Sequence, residues 1–244
     1  MAIDRNSNSF TFGFAIAMVV VVGATLAFLS MYLKPYQIKN DKDKKMISIL
    51  GAINVEADRK NADAMYKKYI LDSKVLNSKG EEIKSDLNAF DIDVQKQYKD
   101  KNIAPADRIY PLFIADKDGV KYYIMPVAGT GLWGPIWGFI SVGNDLTTIY
   151  GARFDHKGET PGLGAEIASY DKFQKQWEGK EIRNEDGSFH DILVSKTPVE
   201  ASDPYAVDGI TGGTITSKGL EEMVNRSVAI YANYFQSISN QQLN

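Results

Sequence analysis

The sequence predicts an α+β fold, in which one apolar N-terminal helix precedes a domain with an antiparallel-rich sheet and packed helices. Three observations lead to this prediction. Residues 10–33 include no charged side chain. Between residues 110 and 154, short apolar runs alternate with tight-turn residues, which is typical of consecutive antiparallel strands. After residue 217, apolar residues recur at the spacing of one helix face.

The composition excludes several classes of protein. The chain has 244 residues, of which 44% are hydrophobic and 24% charged, which is an ordinary globular mixture. A net charge of −3 argues against a nucleic-acid partner, because such a partner needs a basic face. The sequence has no cysteine, which excludes disulfides, thiolate metal sites and cysteine nucleophiles. It has two histidines, too few for a histidine-rich metal site, and we expect no metal ligands.

Residues 10–33 are predicted to form a transmembrane helix. Their 24 positions exceed the roughly 20 that a helix needs to cross a hydrocarbon core of about 30 Å. Residues 15–22 are apolar on all sides, which suits lipid better than a protein surface. A cleaved signal peptide and a buried core helix are the alternatives. The run is longer than a usual signal core and no Ala-x-Ala-like site follows it, so we predict an uncleaved anchor at residues 1–34.

The charges beside this anchor predict which side of the membrane each end of the helix faces. On the N-terminal side the only Lys or Arg is Arg5, whereas the C-terminal side carries a lysine-rich run. Its members are Lys34, Lys39, Lys42, Lys44 and Lys45. The positive-inside rule therefore places the C-terminal side in the cytoplasm.

Residues 35–109 are predicted to form a helical stalk and a variable region. Apolar residues at helical spacing indicate a helix over residues 38–53, and a second helical stretch covers residues 60–71. The polar segment 77–100 has weak periodicity, so no element is predicted there.

Residues 110–244 are predicted to form the main domain. The segments 110–115 and 120–127 flank Asp118-Gly119, which is the signature of a β-hairpin. Further strands are predicted at residues 137–142, 146–154 and 192–194, and a C-terminal helix from about Ser217. The apolar face of that helix comprises Leu220, Met223, Val224, Ser227, Val228, Tyr231 and Phe235.

Two segments, 158–166 and 208–216, are rich in glycine beside hydroxyl or acidic residues. Glycine allows close backbone approach, and a glycine-rich loop that runs into a helix offers N–H groups to a phosphate. Both segments could equally be tight turns, since glycine-rich loops are weak signals. The second is no Walker loop, because no Gly-Lys-Ser/Thr closes it, and no βαβ pattern supports a dinucleotide fingerprint.

The second segment resembles the flavinylation motif of the FMN-binding domain family. Its residues are Asp208, then Thr211-Gly212-Gly213-Thr214-Ile215-Thr216. The family pattern is an Asp, a short spacer, Ser/Thr-Gly-Ala-Thr, one residue and Ser/Thr. The resemblance implies that FMN is attached to Thr214 by a phosphoester, which a flavin transferase makes from FAD. It also implies that Thr211, Gly212, Gly213 and Thr216 bind the cofactor. Gly213 stands where the family usually has Ala, a mild departure that keeps the site small.

Two further blocks resemble the same family. The segment Gly158-Glu159-Thr160-Pro161-Gly162-Leu163-Gly164 is similar to the family's loop against the isoalloxazine ring, which implies that its residues from Glu159 to Gly164 contact FMN. Residues 131–138 resemble a third block and make Trp133 a candidate contact, although packing is the more common role of an aromatic residue. His156 is expected at the surface.

The order of the blocks behind one anchor helix is similar to the C subunits of the Na⁺-translocating NADH:quinone reductases. This resemblance implies a subunit that passes single electrons through covalent FMN. Its partners would be the other subunits of the complex, a flavin transferase during maturation, and membrane lipid. It also implies a single pass through the bacterial inner membrane with the FMN domain on the periplasmic side, opposite to the indication of the lysines.

Two alternative functions fit the same residues. One is the equivalent covalent-FMN G subunit of an Rnf-type ferredoxin:NAD oxidoreductase complex, which shares the anchor and the motif. The other is a membrane-anchored module that binds an anion at residues 211–216 without flavin. No residue is expected to act as a catalytic acid or base.

Overall fold

The structure is a computed structural model that describes residues 7–242. Its contacts divide the chain into two compact units, with the boundary between Lys45 and Met46. The helices are α1 (Asn8–Ala52), α2 (Ala62–Tyr69), α3 (Val94–Lys99) and α4 (Thr214–Gln242). The strands are β1 (Ile70–Leu76), β2 (Tyr110–Lys117), β3 (Val120–Thr130), β4 (Pro135–Val142), β5 (Ile149–His156), β6 (Leu193–Ser195) and β7 (Ala206–Asp208).

The first unit consists of helix α1 as far as Lys45. Its most apolar stretch is fully exposed and long enough to cross a membrane, as the prediction for residues 10–33 requires. The helix continues through Pro35, so the two predicted helices, 10–33 and 38–53, are one. A proline inside a helix removes one backbone hydrogen bond, and a helix with favourable residues on both sides can continue past it.

The second unit is built on an antiparallel sheet with the strand order β1-β2-β3-β4-β5. Each strand follows its neighbour in the chain, so the predicted antiparallel-rich sheet is confirmed. The β2–β3 hairpin turns at Asp118 and Gly119, both with positive φ, as a two-residue turn of the favoured hand requires. The Asp116 carboxylate accepts a hydrogen bond from the Gly119 N–H at 3.0 Å.

Both faces of this sheet are covered. Neighbouring residues of one strand point to opposite faces, so Leu112 lies in one apolar cluster and Phe113 in the other. The first cluster joins the sheet to α4, through residues such as Met223 and Tyr231. The second joins it to the last turns of α1, including Ile49, and to residues 75–92. Helices therefore pack on a central sheet, which confirms the α+β fold.

The predicted boundaries after residues 34 and 109 differ from the division that the contacts give. Residues from Met46 onward belong to the same compact unit as the sheet. The physical reason is β1, which pairs with β2 in a ladder from Ile70 opposite Ala115 to Leu76 opposite Tyr110. The region predicted as stalk thus supplies an edge strand and part of the core.

Two of the differences from the predicted element ends have a clear physical reason. The helix predicted over residues 60–71 ends at Tyr69, because the chain then joins the sheet as β1. The strand predicted from Leu146 begins at Ile149. Leu146 has a φ of 59°, and the Asp145 carboxylate accepts hydrogen bonds from the N–H groups of Thr147 and Thr148. These bonds hold residues 145–148 in a turn.

A second, two-stranded sheet leads towards the glycine-rich loop. The strand predicted at residues 192–194 is β6, and it pairs in parallel with β7, which no pattern in the sequence indicated. The Val194 N–H donates to the Glu221 carboxylate of α4 at 2.6 Å. The sheet therefore fixes the position of Asp208, where β7 ends, relative to the start of α4.

Candidate cofactor site

Thr214 is the first residue of α4 and its side chain is exposed. The first helical hydrogen bond runs from the Ser217 N–H to the Gly213 carbonyl at 2.8 Å. The N–H groups of residues 214–216 therefore precede the helical ladder and lie at the positive end of the helix dipole, which favours an anion. The helix begins one turn earlier than the predicted Ser217, whose hydroxyl accepts a bond from the Ile210 N–H at 3.0 Å.

The two glycine-rich segments contact each other at Gly212 and Gly213. Gly212 has a φ of +74°, and a Cβ there would lie 2.6 Å from the Leu163 Cδ2 atom. A Cβ on Gly213 would lie 2.9 Å from the Ile210 Cγ2 atom and 3.3 Å from the Gly164 nitrogen. The small residues of one segment thus allow the other to lie directly against it.

Glu159 connects both segments to the third block. Its carboxylate accepts a hydrogen bond from the Trp133 N–H at 2.8 Å and another from the Thr216 hydroxyl at 2.5 Å. The side chain is only 4% exposed. Added Cβ atoms on Gly131 and Gly164 would come within 2.6 Å and 2.5 Å of the same carboxylate. All three blocks therefore meet around one buried group.

The surface above this group carries exposed apolar side chains. Trp133 is 68% exposed and Ile215 is 59% exposed, and Leu132 and Leu163 are also exposed. In the part of the chain that the structure describes, eight large hydrophobic residues outside α1 are this exposed, and these four all belong to the three blocks. Such a concentration indicates a surface that binds something apolar.

The candidate residues differ in their access to solvent. The buried ones are Glu159, Gly164, Gly213 and Thr216. The exposed ones are Trp133, Thr160, Gly162, Leu163, Thr211, Gly212 and Thr214. We call the exposed group, together with Leu132 and Ile215, the rim, and the buried group, together with Gly131, the floor. A cofactor at this site would contact rim residues, and the floor would act through them.

Comparison with known proteins identifies the family. The family model of the FMN-binding domain matches residues 131–229, which include all three blocks. A crystal structure of the C subunit of the Na(+)-translocating NADH-quinone reductase from Parabacteroides distasonis superposes with a TM-score of 0.72 at 41% sequence identity. The match covers 83% of this chain and 96% of that one. The chain belongs to the family of Na(+)-translocating NADH-quinone reductase C subunits.

Other relatives match over nearly the whole chain. The C subunits of Pseudomonas aeruginosa and of Vibrio parahaemolyticus are each 29% identical, over 91% of this chain and 92% and 90% of the relatives. The crystal structure of NqrC from Shewanella oneidensis has a TM-score of 0.65 at 25% identity, with 82% of this chain and 96% of that chain covered.

Next to the rim, this member of the C-subunit family has an open cleft of about 540 Å³ between residues 162–176 and 208–211. Its lining includes the carboxylates of Glu166, Asp171 and Asp208. Lys172 forms an ion pair with Glu166 at 2.8 Å, and this contact holds the pKa of the Glu166 carboxyl below its usual range. The cleft thus carries three carboxylates beside Lys172, whereas the rim has no charged side chain.

Gln176 supports the site by holding Asp208, and the sequence did not indicate this role. Its amide nitrogen donates to the Asp208 carbonyl at 2.9 Å, and its amide oxygen accepts from the Asp208 N–H at 2.7 Å. The Asp208 carboxylate accepts from the Val199 N–H at 2.7 Å. Asp208 is therefore fixed through backbone and side chain. A glutamine in a segment without periodicity gives no signal for such a role.

His156 is less exposed than the sequence analysis predicted. It is half-buried, and its Nδ1 atom accepts a hydrogen bond from the Glu159 N–H at 3.1 Å. The bond fixes the backbone on which the Glu159 side chain depends. Within residues 7–242, no group of three or more His, Asp or Glu side chains is placed to hold a metal ion.

Proposed function

We propose that this chain is the electron-carrying subunit of a Na⁺-translocating NADH:quinone reductase, with FMN attached to Thr214 by a phosphoester. The observation that carries the proposal is the position of Thr214, exposed at the start of α4 beside an apolar rim. Family membership supports the complex and the cofactor, since relatives are named as its C subunits and the matching family model is the FMN-binding domain. The partners are then the other subunits of that complex.

The attachment we propose is a transfer from FAD, catalysed by a separate flavin transferase. The Thr214 Oγ atom forms a bond to the phosphorus of the FMN half. The P–O bond that joins this phosphorus to the AMP half breaks, and AMP leaves with the electron pair of that bond. The hydroxyl proton passes to a base of the transferase, and no electrons are gained or lost. Exposure of Thr214 gives such an enzyme access to it.

The residues present fit FMN in two ways. The free N–H groups at the start of α4 and the helix dipole stabilise a phosphate next to Thr214. The apolar side chains of Trp133, Leu163 and Ile215 offer a surface to an aromatic ring. When bound, FMN supplies one-electron transfer, and the protein supplies orientation and electrostatic environment. Both Glu159 oxygens accept hydrogen bonds, so this carboxylate supports the loops.

Fluorescence on a denaturing gel tests the attachment. The full chain is co-expressed with a flavin transferase, and the gel is illuminated with ultraviolet light. We expect a fluorescent wild-type band, a dark Thr214→Ala band, and a fluorescent Thr197→Ala band, because Thr197 is an exposed threonine outside the three blocks. A dark wild type, in cells where a known acceptor is labelled, would favour an anion-binding module without flavin. A labelled Thr214→Ala variant would move the attachment to another residue.

We also propose that α1 anchors the chain in the bacterial inner membrane and that the FMN domain lies on the periplasmic side. Family resemblance supports this side, although the lysines after the anchor favour the other. Since the chain has no cysteine, Gln236→Cys on an exposed position of α4 gives a unique label. We expect a membrane-impermeant maleimide to label intact spheroplasts. Labelling only after lysis would place the domain in the cytoplasm.

A further inference from the structure

Glu159 is an unusual group for the position it occupies. A buried carboxylate is costly unless it is paired or hydrogen-bonded. Within residues 7–242 the Glu159 carboxylate has no ion-pair partner, and a backbone N–H and a hydroxyl bond its two oxygens. Hydrogen bonds to an ionised acceptor are shorter and stronger than those between neutral groups. The arrangement therefore holds its two donors firmly.

These two donors lie on separate parts of the site. Thr216, which is 1% exposed, belongs to the first turn of α4 and follows Thr214 by two residues. The Trp133 N–H belongs to the loop between β3 and β4, and the indole of the same residue is exposed above it. The buried Glu159 carboxylate thus forms hydrogen bonds both to the helix turn that carries Thr214 and to the loop that carries Trp133.

We infer that Glu159 is a positioning residue, which holds the Thr214 hydroxyl and the Trp133 loop in the relative arrangement needed for transfer and for flavin contact. This inference rests on the proposed function. Two glycines make room for the Glu159 carboxylate, because a Cβ on Gly131 or Gly164 would overlap with its oxygens. The His156 contact with the Glu159 N–H fixes the other end of the side chain.

The negative charge of Glu159 has a separate effect from its hydrogen bonds. A carboxylate near a flavin disfavours the addition of electrons, so its removal raises the midpoint potential. Glu159→Gln separates the two effects. Its amide oxygen can accept from the Trp133 N–H, and its amide nitrogen can donate to the Thr216 oxygen once that hydroxyl rotates. The charge is lost while both contacts can be kept.

Three further variants complete the series. Thr216→Val keeps the shape of the side chain but removes the donor, so one buried carboxylate oxygen loses its partner. Thr216→Ser restores the hydroxyl. Glu185→Gln is the charge control, because Glu185 is an exposed carboxylate outside the three blocks.

The experiment measures the rate of FMN transfer and the flavin midpoint potential on the full chain in detergent, with FAD and a flavin transferase. We expect Thr216→Val to slow transfer about tenfold or more, since a small misplacement of a reacting group is costly. Thr216→Ser should recover most of the rate. Glu159→Gln should slow transfer less than Thr216→Val and raise the potential, while Glu185→Gln leaves both unchanged. Transfer to Thr216→Val at the wild-type rate would overturn the inference.

A measurement without flavin separates this inference from the proposed function. Amide exchange of the Trp133 N–H is followed by NMR on the unmodified full chain. We expect protection in the wild type and Glu159→Gln, and faster exchange in Glu159→Ala. If Glu159→Ala does not fold, Thr216→Val serves as the second variant. We expect faster exchange of the Trp133 N–H there too, because the Glu159 carboxylate is no longer held by α4. An unchanged melting temperature shows that the loss of protection is local. Fast exchange in the wild type would overturn the role of Glu159. A protected but unlabelled wild type would overturn only the proposed function.

Discussion

The rim and the floor of the cofactor site are made of the same three loops but differ in burial. Along residues 213–216, Gly213 and Thr216 are buried while Thr214 and Ile215 are exposed. In the loop of residues 159–164, Glu159 and Gly164 are buried while Leu163 is exposed. Each loop therefore contributes to both layers. The buried floor therefore limits the volume of its side chains, whereas the rim presents the groups that can contact a cofactor.

The two layers should respond differently to mutation. Substitutions that add volume to the floor or to the packed face of α4 should lower the free energy of unfolding, because protein interiors are closely packed. Substitutions on the exposed side chains of the rim should leave that free energy nearly unchanged and act on the flavin.

Gly219→Ala should have the largest effect on stability. Gly219 lies on the face of α4 that packs against β3, and its added Cβ would meet the Thr130 carbonyl oxygen of the backbone. A backbone atom cannot rotate away, so we expect a loss of about 3 kcal/mol or more. Urea unfolding measures the loss. Lys218→Ala, on the exposed face of the same turn, is the control and should change stability by less than about 1 kcal/mol.

Gly213→Ala should cost more than Gly212→Ala, although the two residues are adjacent. On the floor, a Cβ on Gly213 would lie 2.9 Å from the Ile210 Cγ2 atom, 3.1 Å from the Ile210 Cβ atom and 3.3 Å from the Gly164 nitrogen. A branched carbon and a backbone atom cannot rotate away, so we expect a loss of about 1–3 kcal/mol. On the rim, Gly212 has a φ of +74°, which strains alanine, but its Cβ would meet only the free end of the Leu163 side chain, and we expect a loss of about 1 kcal/mol. A larger loss for Gly212→Ala in urea unfolding would contradict this difference between the two layers.

Leu163→Lys should change the flavin and not the fold. Leu163 is exposed on the rim, so the free energy of unfolding should fall by less than about 1 kcal/mol. A positive charge near the ring favours added electrons, and the midpoint potential should rise, whereas Leu163→Asp should lower it. Leu163→Met is the neutral control. Potentiometric titration that finds one potential for all four proteins would place the ring away from Leu163.

The Glu166–Lys172 ion pair should have the smallest effect, seen as a pH dependence. Lys172 lowers the pKa of the Glu166 carboxyl below its ordinary value of about 4.5. The pair therefore stabilises the fold fully above that value and loses its contribution as the pH falls through the lowered pKa. Melting temperatures between pH 7 and pH 3 should fall slightly less for Lys172→Met than for the wild type. Identical profiles would mean that the pair contributes nothing to stability.

The sequence predicted the motif and its order better than the layers of the site. Thr214, Leu163 and Trp133 could be identified because each lies in a recognisable block. The burial of Glu159 could not, because its two hydrogen-bond donors are 26 and 57 residues away in the chain. A carboxylate in a glycine-rich loop is interpreted as exposed or as a ligand unless those distant partners are known.

Helices and strands show the same limit. The β2–β3 hairpin was predictable because its turn and its alternation are local. Strand β1 was not, since its residues have no clear period and its partner strand begins more than 30 positions later. The start of α4 also differs from the prediction, because the Ser217 N–H donates to the Gly213 carbonyl and the helix therefore begins at Thr214. Local patterns determine local elements, and distant pairings decide the rest.

The connection of three distant loops through Glu159 has a consequence for the order of maturation. The chain from Trp133 to Thr216 must fold before the carboxylate can bond both of its donors. No shorter peptide holds these contacts, so an unfolded chain presents the threonine but not its surroundings. If the transferase needs the native arrangement, only chains whose sheet and C-terminal helix have already packed together receive the flavin, and the bound flavin marks a correctly folded chain.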